Sequence, residues 1–146
     1  MRSQETTSGY LLVLERGEEL IEALTGFCTT QGIQHAVFQG IGAVEQIEIG
    51  YYNRESQHYS FRKEEGVFEV ASLHGNVALV DGKPFLHAHA VLSRCDETLE
   101  CIGAHIQAAS VAVTLEIHMT VFTTPISREL DESIGLKLLR ADSSHL

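Results

Sequence analysis

Basic residues are scarce in this chain. Its 146 residues include ten lysines and arginines against twenty aspartates and glutamates, a formal net charge of −10, and the pI is about 5.1. A protein that grips nucleic acid by itself presents a basic patch or stripe. Here only Arg62 and Lys63 are adjacent, and the other basic residues are scattered. The long-range field therefore repels DNA, RNA and anionic membranes, and direct nucleic-acid binding is not expected. Cysteine is also sparse. Cys28, Cys95 and Cys101 are odd in number and form no C-x-x-C pair, which excludes a disulfide framework and suits a reducing compartment. Cys28 is expected to pack within a helix and the other two to be ordinary thiols. No segment approaches the ~18 consecutive apolar residues of a membrane span. The opening MRSQETTSGY has no apolar run suited to a signal peptide. A cytoplasmic protein without a membrane partner is the expectation.

Other absences concern organisation. No repeat, linker or shift in composition divides the chain. Hydrophobic residues make up 44% and charged residues 21%, as in an ordinary globular protein, and the length suffices for one domain with a core.

Residues 1–8 are polar and read as a flexible N-terminus. Tyr10 to Leu14 reads as a buried strand. In GEELIEALTGFCTTQG, the residues Leu20, Ile21, Leu24, Phe27 and Cys28 recur at helical spacing. Glu18, Glu19 and Glu22 suit the dipole at the helix start, and Gly32 suits its end. A β-rich stretch follows. His35–Phe38 and Ala43–Tyr52 read as strands around Gly40-Ile41-Gly42, which is either a bulge with close backbone approach or a simple bend. A dinucleotide fingerprint there is very weak, since no third glycine opens a helix. Tyr51 to Phe61 suggests a turn and an edge strand, and Val67 to Val80 a strand. Asp81-Gly82 signals a two-residue hairpin, with Phe85 to Ser93 returning. Cys95 to Gln107 is less regular. Val111, Val113, Leu115, Ile117, Met119 and Val121 line one face of a long strand. From Ser127 the pattern suggests one helical turn, then a short strand over Leu136–Leu139. One helix followed by mostly antiparallel strands gives an α+β fold, a sheet with the helix packed on one face.

The chemistry-bearing feature is Pro84-Phe85-Leu86-His87-Ala88-His89-Ala90-Val91-Leu92. On a strand, alternate side chains share a face. Leu86, Ala88, Ala90 and Leu92 form an apolar face for the core, and His87 and His89 share the other. At ~3.3 Å rise per residue their Cα atoms stand about 6.6 Å apart, close enough for both imidazoles to tilt toward one divalent metal. His105, after an expected glycine turn at Gly103, is the candidate third ligand. His74, Glu116 and His118 are further candidates. Glu116 or His118 could act as general base. An H-x-H pair can equally hydrogen-bond at a boundary with no metal. His35, His58 and His145 read as ordinary surface or boundary residues, and no zinc spacing includes Cys95 and Cys101.

Together, G-I-G-A (40–43), I-E-I-G-Y-Y-N (47–53), G-V-F-E-V-A-S-L-H-G-N-V (66–77), P-F-L-H-A-H (84–89), G-A-H-I (103–106) and T-L-E-I (114–117) resemble the PPC domain, the plant and prokaryote conserved domain. The resemblance runs from about Gly9 to Leu139, so residues 9–140 read as one domain of this type and 141–146 as a C-terminal tail. It implies an antiparallel sheet with a packed helix, assembled as a homotrimer. It also implies a zinc-like divalent ion on His87, His89 and His105. Ala104 departs from the family's second glycine, adding a methyl and removing freedom at positive φ. Plant members carry AT-hooks that hold DNA, and no Arg-Gly-Arg-Pro core occurs here.

Three functions compete. The first is a trimeric metal-binding protein, catalytic or sensory, with a small-molecule ligand at the metal. The second is a DNA-associated regulatory protein in which the domain serves oligomerisation and partner binding. The third is a small-molecule sensor using a pocket between subunits, for which Tyr51, Tyr52 and the Gly40–Gly42 break suit a wall as well as they suit packing.

Overall fold

The computed structural model describes residues 1–140. The expected tail at 141–146, and His145 with it, lie outside the described residues. The elements in chain order are β1 (Arg2–Thr6), β2 (Gly9–Glu15), α1 (Leu20–Gln31), β3 (Ala36–Asn53), β4 (His58–Val80), β5 (Lys83–Arg94), β6 (Cys101–Val121), β7 (Ser127–Asp131) and β8 (Leu136–Arg140).

The helix forms where its apolar spacing and its caps agree. Leu20, Leu24, Phe27 and Cys28 are buried, and α1 packs against β5 and β6. Glu19 is the N-cap, its carboxylate accepting from the Glu22 backbone N–H at 2.6 Å and from the Ala109 N–H at 3.0 Å. One acid therefore satisfies a free helix donor and ties the helix to β6. Gly32 ends the helix at φ 67°, and the Ile33 N–H returns to the Cys28 carbonyl at 2.8 Å, the usual left-handed stop.

The sheet is antiparallel apart from one parallel bridge between Leu79 and Ser127. Its order is β1-β2-β6-β3-β4-β7-β8, with β5 pairing both β4 and β6. Strands β3, β4, β5 and β6 thus form a closed circuit, because β6 also pairs with β3. Phe68, Ile47, Leu73, Leu92 and Leu115 are fully buried within the core, which α1 covers. Asp81 and Gly82 both have positive φ, 51° and 76°, as a type I′ hairpin requires. The Gly40–Gly42 break is a bulge at close approach. A Cβ on Gly42 would lie 2.2 Å from the Thr114 carbonyl oxygen, and one on Gly40 would lie 2.7 Å from that of Glu116.

Several expectations are corrected. Residues 2–6 do not fray but pair with β2, from Arg2↔Val13 to Thr6↔Gly9. Cys101 to Gln107 belongs to β6, so Gly103 lies in a strand and not in a turn. Ser127–Asp131 is a strand where a helical turn was expected, and it forms a hairpin with β8. Val113 leaves the apolar stripe and is 66% exposed, because the β3–β6 register shifts between Gly42 and Val44. His35 is buried, not superficial. Its Nδ1 accepts from the Ile126 N–H at 3.2 Å, supplying an acceptor where the chain has left β6. No helix among the described residues is long and apolar enough to cross a membrane.

Candidate metal centre

Register builds the site. The two-residue Asp81-Gly82 turn fixes the β4–β5 pairing, which sets Asn76 opposite His87 and His74 opposite His89. On the other side of β5, His89 pairs with His105 of β6. Leu86, Ala88, Ala90 and Leu92 are buried, and His87 and His89 face away from them. Strands spaced ~4.8 Å apart bring the rings of such cross-strand partners into contact range.

The rings of His87, His89 and His105 do meet. Their centroids lie 5.0 Å apart for His87–His89, 5.2 Å for His87–His105 and 5.4 Å for His89–His105. Each offers one nitrogen, and the three nitrogens lie within 4.8 Å of one another. His87 Nε2 and His89 Nε2 are 3.2 Å apart. Two nitrogens on one tetrahedral zinc at ~2.0–2.1 Å stand about 3.3 Å from each other, so this pair needs almost no movement to share an ion. His105 Nδ1 is buried and has no hydrogen-bond partner among the described residues. Such an orphan is costly, and a donor set of imidazoles suits zinc and similar ions. The residues present therefore fit a divalent metal.

Burial, reinforced by the cation of Arg128 and by His89 and His105, pushes the His87 imidazole down to about 4. His105 is lowered chiefly by burial and then by His89. His87 is therefore neutral at pH 7, as a ligand must be.

The other candidates part company here. His74 is exposed, with Nδ1 3.0 Å from Ser72 Oγ, and it lines the cavity beside the cluster without joining it. Glu116 and His118 are not brought to the histidines. They are exposed on the far part of β6, paired with β2 and β3, and neither lines the cavity. The expected base is thus misplaced, because His105 and Glu116 lie far apart along β6, opposite Gly50 and Ile41 of β3. The loss of glycine at position 104 is accommodated. Ala104 sits in extended backbone opposite Ala90, and no positive φ is required there.

The histidines floor an open cavity of about 880 Å³. Tyr51 and Tyr52 line this cavity, which lies within one chain, and Gly40–Gly42 does not. Tyr59 and Phe61 are stacked at 5.3 Å, and the Tyr59 ring lies 5.0 Å from that of His105. The sequence reading missed Asn76, Tyr59 and Arg128. Arg128 Nη2 donates to Asn76 Oδ1 at 2.9 Å and lies 3.2 Å from His87 Nδ1. The hairpin signal could have found Asn76 by counting back from Asp81. Nothing local points to Arg128.

Residues 1–123 match the family model of the Plants and Prokaryotes Conserved (PCC) domain. The chain belongs to this family. A plant- and prokaryote-conserved protein from Pyrococcus horikoshii shares 32% identity and a TM-score of 0.84, with 97% of this chain and 96% of that one covered. A protein from Archaeoglobus fulgidus described as metal-containing shares 33% identity and a TM-score of 0.82, covering 97% and 100%. A protein from Ralstonia eutropha, provisionally named as DNA-binding, shares 28% identity and a TM-score of 0.88 over 96% of each chain. No curated protein resembles the chain closely enough to count as a match. The PCC family match ends before β7, so the β7–β8 hairpin that carries Arg128 lies beyond the matched residues.

Proposed function

We propose that this PCC-domain protein binds one divalent metal per chain, zinc above others, through His87, His89 and His105, and receives a small molecule in the adjoining cavity. The observation that carries this reading is the convergence of three imidazole nitrogens within 4.8 Å. The metal-containing relative from Archaeoglobus fulgidus supports it. A zinc ion held by three neutral imidazoles supplies a Lewis-acidic position open to water or ligand. The chain's own part is to hold the rings on adjacent rigid strands and to wall the opening with Tyr59 and Phe61. No carboxylate is among the described residues that line the cavity, and Glu116 and His118 lie elsewhere. Ligand binding at the open position is the reading proposed here, and His74 is a further imidazole that lines the cavity.

The homotrimer that the family resemblance implies belongs to the same proposal. Val37, Ile41 and Val113 are 48%, 58% and 66% exposed on the neighbouring strands β3 and β6, and subunit association would cover such apolar surface. A cytoplasmic location accords with the reduced cysteines.

The test is metal analysis of protein purified without chelator. About one zinc per chain is expected, lost in the His87→Ala, His89→Ala double variant. A second reading makes the domain an oligomerisation and partner-binding module in a DNA-associated complex. It draws on the name of the Ralstonia eutropha relative. With a net charge of −10, it would act through a partner.

A further inference from the structure

Arg128 is the residue that reaches the histidines from outside the matched domain. Its hairpin, β7–β8, joins the sheet by a single bridge, Leu79↔Ser127. Side chains supply the other ties: Tyr52 Oη donates to the Ile134 carbonyl, Gln57 Nε2 to the Ser133 carbonyl at 3.2 Å, and Lys137 Nζ to Asp81 Oδ2 at 2.6 Å. The Arg128 guanidinium lies over the Phe85 ring at 5.5 Å and spans Asn76 Oδ1 and His87 Nδ1.

A guanidinium has donors only. At Nδ1 the His87 ring must then accept, which leaves its one ring proton on Nε2. That proton has an acceptor in His89 Nε2, 3.2 Å away. Each link from Arg128 to His87 to His89 pairs a donor with an acceptor, while Arg128 Nε is buried with no partner among the described residues. With its proton on Nε2, His87 is also in the tautomer in which that nitrogen has no lone pair for a metal. Ligation through Nε2 needs the proton on Nδ1, and a ligating histidine donates that other N–H to an oxygen acceptor. Asn76 Oδ1, directly opposite His87 in register, is such an acceptor, and Arg128 holds it.

We infer that Arg128 is a latch on the metal site, a positioning residue that keeps His87 in its non-ligating tautomer until loading displaces it. This rests on the metal reading above. On loading, the Nε2 proton leaves to water, Nδ1 takes one from water, and the ring stays neutral. Arg128 withdraws from His87, Asn76 Oδ1 accepts from Nδ1–H, and the hairpin loses one of its few ties. Metal occupancy is thereby reported at β7–β8, on the surface of the domain.

The test titrates Zn²⁺ against a competing chelator into wild type, Arg128→Met and Asn76→Ala. Arg128→Met is expected to bind about tenfold tighter, and Asn76→Ala about tenfold or more weaker, the usual effect of losing a partner to a ligating histidine. A merely structural role would weaken binding in both. Nitrogen NMR of the metal-free histidine rings gives an independent readout. His87 should carry its proton on Nε2 in wild type and shift toward Nδ1 in Arg128→Met. Amide exchange over 127–140 should speed up when Zn²⁺ is added to wild type. If no protein binds Zn²⁺, the metal reading fails and the latch with it. If wild type binds and Arg128→Met binds equally or more weakly, or metal-free His87 is protonated on Nδ1, the latch alone is overturned.

Discussion

Replacing His105 by phenylalanine should move stability in opposite directions with and without metal. In the metal-free protein, His105 Nδ1 is buried with no partner among the described residues. An unsatisfied buried polar atom costs about 1–3 kcal/mol, and the ring is only half-buried, so about 1 kcal/mol is the appropriate figure. Phenylalanine removes that atom and places an apolar ring beside Tyr59 and Phe61, which already flank this position at 5.0 and 6.2 Å. For a domain of this length, 1 kcal/mol corresponds to about 2–4 °C in Tm. Metal-free His105→Phe should therefore melt about 2–4 °C above metal-free wild type. Zinc reverses the order. A ligand at a hundred times its Kd stabilises by about 2.7 kcal/mol, so wild type should gain about 5–10 °C and the variant almost nothing. The assay is differential scanning calorimetry at one fixed protein concentration, after chelator treatment and after zinc addition. A metal-free variant less stable than wild type would refute the orphan-atom argument. A zinc shift retained in the variant would refute the assignment of His105 to the ion.

Other outcomes follow from the same structure. Burial pushes the Cys28 thiol up to about 11, so at pH 8 iodoacetamide should label Cys95 and Cys101 in the native protein and Cys28 only after denaturation, as read by mass spectrometry. The ordinary value is 9.0, and a raised folded pKa means this contribution is present below pH 9 and lost as pH rises through about 11. Cys28→Val should accordingly show a shallower fall in stability between pH 9 and 11. Gly42→Ala places a methyl 2.2 Å from the Thr114 carbonyl oxygen at φ 147°. It should cost about 3 kcal/mol or more in a guanidinium melt, and a cost under 1 kcal/mol would contradict the close-approach account of the bulge. Direct DNA binding should be absent at micromolar protein and physiological salt in a mobility shift, and a salt-sensitive shift would overturn the charge argument.

Much of the site was legible because it is built from short-range patterns. Alternation along β5 placed His87 and His89 on one face, and the Asp81-Gly82 turn contained the register that sets Asn76 and His74 beside them. The third histidine needed more. His105 meets His89 across β5 and β6 through a strand pairing that no local period announces; it was picked out by an expected turn at Gly103 that is in fact strand, and the family resemblance added to it. The same gap misplaced Glu116 and His118. Their alternation on β6 was read correctly, but they lie farther along the strand, opposite Ile41 and Gln39 where His105 lies opposite Gly50, and at ~3.3 Å per residue that distance alone separates them from the cluster. Arg128 was illegible for a stronger reason. It sits 41 residues from His87, on a hairpin joined to the rest of the sheet by one bridge, within a segment whose sequence suggested a helical turn. His35 was misread because an imidazole looks the same in sequence whether it faces water or, buried, accepts from the Ile126 N–H.

The central claim is that three histidines of this PCC domain hold a metal ion. The direct measurement is elemental analysis of protein purified without chelator or affinity-column metal, compared with the His87→Ala, His89→Ala double variant. The account predicts about one zinc per chain in the wild type and none in the variant. Trace, non-stoichiometric metal in the wild type, or equal metal in both proteins, would contradict it.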